Sequence, residues 1–120
     1  MVKITLNDTF SVALLRLIKA KGKTDMEVYK RASIDRKLFS KIRRNKNYVP
    51  SKKTIIVLAL ALECSLDETK DLLERSGFVL SGSLLSDVII KNFISQGNYD
   101  IHKINCVLFA HGQPILSIRT

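Results

Sequence analysis

The stretch KKTIIVLALALE, residues 52–63, constrains the fold more than any other part of the chain. Every residue from Ile55 to Leu62 is apolar, and the run has no period-two alternation. Such a run reads as a helix that is apolar on every side, and a helix of that kind has to be surrounded by other elements. Ser51 is placed to cap it. It is far shorter than the ~20 apolar residues needed to span a bilayer. In a chain of 120 residues, which is enough for one domain with a modest core, the surrounding elements must come from the rest of the sequence.

Those elements also read as helices. Strand signals are poor, with no Asn-Gly hairpin turn and no sustained alternation. Residues 9–21 carry the stripe Phe10, Leu14, Leu17, Ile18 and stop at Gly22. Thr24 to Glu27, TDME, forms a capping box that opens a short second helix over residues 25–32, with Val28, Met26 and Tyr29 turned inward. Asp35 caps a third helix over residues 36–44. A second capping box, SLDE at Ser65 to Glu68, opens a fifth helix that ends near Gly77, with Leu72 and Leu73 inward. Residues 84–95 form a sixth helix with a wide apolar face from Leu85, Val88, Ile89, Ile90, Phe93 and Ile94, and only Asp87 and Lys91 as charges. Residues 101–110 form a seventh, stopped by Gly112 and Pro114. The tail ILSIRT is apolar enough to dock. The expected fold is all-α, with a first unit over residues 1–78 and a helical extension over residues 79–120 packed on it.

Charge is confined to one end of this arrangement. Residues 1–53 hold 15 Lys and Arg against 4 Asp and Glu, a balance of +11; residues 54–120 hold 5 against 7, a balance of −2. Solubility alone does not account for such segregation, which favours a polyanionic partner for the first half. The segment DRKLFSKIRRNKNYVPSKK, residues 35–53, concentrates it, with eight basic residues and no acid after Asp35. On a helix at roughly 100° per residue, Leu38, Phe39 and Ile42 share one arc of about 100°, and Ser40, Arg44, Lys37 and Lys41 share another. Arg36 and Arg43 lie between the arcs. No acid on the helix itself balances these cations.

A short helix, a tight turn and a second short helix with a one-sided basic face describe a helix-turn-helix. B-form DNA has a major groove that admits one α-helix, with phosphates along both edges. At these residues the sequence resembles the XRE/Cro/C1 repressor family, over about residues 10–77. The first helix ends in basic residues and Gly, Thr24 opens the second, and Ser40 and Ile42 sit two apart in the third. After a loop containing Pro50 comes the Thr-Ile, Leu-Ala, Leu pattern of residues 54–62. Asp25 stands where the family often has a Gln, and Ser33 replaces the usual turn Gly. The resemblance implies a lambda-repressor-like five-helix unit that binds double-stranded DNA as a transcriptional regulator. Arg36, Lys37, Ser40 and Lys41 are then expected in the major groove, and Arg43, Arg44, Lys46, Lys52 and Lys53 toward the flanking phosphates. The last two helices lie outside the resemblance and are expected to cap the core and to offer a homodimer or partner surface. A second function class stays open: a protein-interaction module or regulatory subunit using the same helical fold.

No enzyme motif is present: no phosphate-binding Gly-rich loop, and no Ser/His/acid or Cys/His set at plausible spacing. Cys64 and Cys106 both read as buried small hydrophobes. His102 and Cys106 are four apart, too few ligands for a metal site, and no cofactor is expected. The N-terminal MVKITLNDTFSVALL has one Lys and no small-residue cleavage pattern, which argues against a signal peptide and for a cytoplasmic location.

Overall fold

The computed structural model describes residues 5–118, and every regular element in that range is a helix. In chain order they are α1 (Phe10–Ala20), α2 (Asp25–Arg31), α3 (Arg36–Arg44), α4 (Lys52–Ala61), α5 (Leu66–Glu74), α6 (Leu85–Ser95) and α7 (Ile101–Ala110). None of them is long and apolar enough to cross a membrane.

α4 sits at the centre, as its composition requires: every residue from Thr54 to Ala61 is buried. It packs against α2 and α5, while α1 lies against α3 and α5, and α6 bridges α5 and α7. One apolar core runs through all of them. It includes Phe10, Leu14, Ile42 and Leu72 from the first five helices, and Ile90, Ile104, Leu108 and Leu116 from the remainder. The described part of the tail, residues 115–118, does dock, since Leu116 is buried and its N–H donates to Asn105 Oδ1 at 2.7 Å; residues 119 and 120 lie outside the described residues.

Local sequence sets the helix starts. The Thr24–Glu27 and Ser65–Glu68 capping boxes both form, Ser51 Oγ accepts from Thr54 N, and Asp100 accepts from Lys103 N. Asp35 accepts from the Lys37 amide and so opens α3. The helix ends are equally local. Six of the seven helices are followed by a residue with positive φ, which is Gly after α1, α5, α6 and α7 and is Ser33 and Glu63 after α2 and α4. At Ser33, φ is 55°, and the Ile34 N–H donates back to Tyr29 O at 3.0 Å. α3 is the exception and runs out through an extended Asn45.

A left-handed backbone places the Cβ of an L-residue against the following carbonyl, at a cost of roughly 1–2 kcal/mol. Ser33 carries that cost, and its side chain is exposed. Ser33→Gly is expected to raise unfolding stability by about 0.5–1 kcal/mol, because the relief outweighs the larger unfolded-state entropy of glycine. Urea melts of the two proteins measure it, and a lower midpoint in the variant would refute the strain at this turn.

Two residues, Met26 and Cys106, depart from the expected placement. Met26 is 53% exposed rather than inward, because α2 has only two turns and its buried side is set by Val28. Tyr29 does turn inward, half-buried against the core with its ring centroid 5.7 Å from that of Phe39. Cys106 is exposed, because α7 docks through Ile104 and Leu108 and the thiol lies on the other side. Cys64 is buried as expected, and burial pushes its thiol up to about 12.

Candidate nucleic-acid interface

The side chains nominated from the sequence cluster on and around α3. Its apolar arc, Phe39 and Ile42 with Leu38 at the edge, sits on the core. That anchoring turns the opposite arc to solvent. Arg36, Lys37, Ser40, Arg43 and Arg44 line one shallow concavity together with Asp35. All of the cations there are exposed, and Ser40 is half-buried. Lys46 is exposed on the loop that follows.

The nominated cations fall into three electrostatic groups. Arg36, Lys37, Arg44, Lys46 and Lys53 have no acidic partner among the described residues. Lys41 has a different kind of neighbour, its Nζ lying 4.8 Å from the centroid of the Tyr48 ring, within cation–π range. Arg43 and Lys52 are engaged by acids from other elements. Arg43 Nη1 lies 2.9 Å from Asp25 Oδ2, which joins α3 to the start of α2. The acid that would repel a phosphate therefore holds a guanidinium beside the concavity.

Lys52 points the other way. Its Nζ donates to Asp87 Oδ2 at 2.7 Å, and the same oxygen accepts from the Ser81 N–H at 2.8 Å. Asp87 is only 3% exposed. A buried carboxylate needs this compensation, so the pair ties the first turn of α4 to the first turn of α6. Lys53 is half-buried and borders a groove between α4 and α6. The sequence offered no sign of either ion pair, because the partners come from different helices.

A further link holds the ends of α2 and α4 together. Arg31 Nη1 donates to Glu63 Oε2 at 2.9 Å and to Ala61 O at 3.4 Å. The Arg31 hydrogen bond and charge hold the Glu63 carboxyl below the usual carboxylate range. The tail reaches the side of α3: Ile118 borders a small hollow with Lys37, Leu38, Lys41 and Tyr48.

The Sγ of Cys106 lies 3.8 Å from His102 Nε2 on the exposed side of α7. Among the described residues no group of three or more His, Cys, Asp or Glu side chains is gathered to hold a metal ion. Comparison of the chain with protein-family models, with curated proteins and with solved structures finds no match.

Proposed function

We propose that this chain is a sequence-specific DNA-binding regulator of the helix-turn-helix type. In this reading residues 1–78 form a lambda-repressor-like unit of the XRE/Cro/C1 kind, and residues 79–120 form a helical extension. It assigns no catalytic role to any residue. The observation that carries the reading is the outward arc of α3, where Arg36, Lys37 and Arg44 stand exposed beside Ser40 with no ion-pair partner among the described residues. Unpaired cations held together by a docked helix repel one another, and a polyphosphate backbone relieves that repulsion. α3 also has the length and one-sidedness that a major groove accepts. The reading makes the chain a dimer; of the run Val88, Ile89, Ile90, Phe93 and Ile94 that suggested the contact, Ile89, Ile90 and Ile94 are buried in the core, so the exposed Val79, Leu84, Leu85, Phe109 and Ile115 of the extension are the large apolar side chains left for it.

Selection of bound duplexes from a random library, followed by titration of variants, tests the reading. Arg44→Ala is expected to weaken binding to every duplex alike and to reduce the salt slope by about one. Arg36→Ala and Ser40→Ala are expected to cost about 1–3 kcal/mol on the preferred site and little elsewhere. Weak binding to all duplexes, with none of the variants altering preference, refutes groove reading and leaves a protein partner as the use of the same surface.

A further inference from the structure

The groove bordered by Lys53 has mostly apolar walls and polar groups at its margin. It encloses about 380 Å³ between the first turn of α4, the face of α6 and the docked tail. Its walls come from Ile56, Leu84, Ile90, Pro114 and Leu116. Small-molecule sites are concavities of roughly this size, mostly apolar, with a few placed polar groups that fix orientation.

The charge of the groove is defined by the ion pair already described. Asp87 and Lys52 neutralise each other at 2.7 Å, and the Ser81 N–H occupies the same carboxylate oxygen. Lys53 is left as the one bordering charge with no acidic partner among the described residues, on a half-buried side chain. Lys52 and Lys53 open α4, and Ser86 and Asp87 belong to the first turn of α6. Both helices therefore direct the positive ends of their dipoles toward this margin. The groove thus offers apolar walls and a single uncompensated positive charge.

We infer that this groove binds a small molecule with an aliphatic body and one carboxylate, the body lying along Ile56, Ile90 and Leu116 and the carboxylate meeting the Lys53 ammonium. A neutral alcohol of the same length gains the apolar contact but leaves the cation unanswered, and an alkylammonium adds a like charge beside it. Lys53 is also one of the cations nominated for phosphate. A bound carboxylate therefore removes it from duplex binding, a consequence that rests on the proposed function, whereas the binding itself does not.

Calorimetric titration of the full chain with decanoate, decanol and decylammonium, without DNA, tests the site. Decanoate is expected to bind with a stoichiometry of one, at least about tenfold tighter than decanol, with decylammonium weakest. Lys53→Gln is expected to reduce decanoate to the affinity of decanol and to leave decanol unchanged. Ser86→Phe, which adds bulk at the groove wall, is expected to abolish both, with its helicity measured alongside by circular dichroism. Equal binding of decanoate and decanol, decanoate binding unaffected by Lys53→Gln, or no saturable binding overturns the inference. Duplex titration with and without decanoate is then a separate measurement. If decanoate binds the groove and duplex affinity does not move, the link to DNA is refuted, while the ligand site is supported.

Discussion

Leu58→Ala is expected to destabilise the protein by about 2–5 kcal/mol. The side chain is fully buried, 0% exposed, at the middle of the one helix that is enclosed on every side. Two effects add. The removed methyl and methine groups lose their transfer free energy, and the space they leave closes only in part, because α2 and α5 are held by their own contacts with α4. Alanine's higher helix propensity offsets only a few tenths of a kcal/mol. Against a typical domain stability of about 5–15 kcal/mol the loss is large. Met26→Ala is the control, since Met26 is 53% exposed and surface truncations usually stay within about 0.5 kcal/mol. Urea denaturation of the two variants separates the cases. A change below about half a kcal/mol at Leu58 places the core elsewhere.

Duplex binding is expected to show the second large effect, through its response to salt. Arg36, Lys37, Arg44 and Lys46 are the nominated cations on α3 and the loop after it that have no ion-pair or cation–π partner among the described residues. In a dimer that gives about eight phosphate contacts, a slope of log affinity on log salt of about −7, and a loss of about 10⁴-fold between 50 and 200 mM salt. A monomer would show about half that slope and a loss of roughly a hundredfold over the same range. The slope therefore reads the number of chains engaged as well as the nature of the partner. An affinity that hardly moves with salt would refute phosphate contact and point to the apolar side chains of the last two helices.

The helices themselves were legible because their signals are local. A capping box needs four consecutive residues, and Thr24–Glu27 and Ser65–Glu68 both formed where they were expected. The burial of α4 followed from its composition alone. The basic arc of α3 was legible for the same reason, since Leu38, Phe39 and Ile42 fix which side faces the core. The fate of individual cations was not legible. Lys52 and Lys53 are adjacent and chemically alike, yet one is bonded to a buried carboxylate on another helix and the other is not. Arg43 found its acid on α2. Pairings between helices depend on how those helices dock, which spacing within one helix does not encode. Cys106 was misplaced by the same gap, because aliphatic neighbours in sequence are spread around a helix and do not all share its buried side.

The pairing of Lys52 with Asp87 also has a history in time. A helical segment forms in about a microsecond, whereas synthesis adds residues at about 5–20 per second. Five of the seven helices are opened by a side-chain cap from the residue just before them, but helices of 7–11 residues are marginal alone and hold only once they are packed. Asp87 lies 35 residues after Lys52, so at that rate its carboxylate follows by roughly two to seven seconds. During that interval the growing chain carries a free ammonium at the start of α4. Among the ion pairs of the described residues, the tie between the first turns of α4 and α6 is therefore the last to gain its second partner, after Lys21–Glu68, Arg31–Glu63 and Arg75–Asp71 are already made.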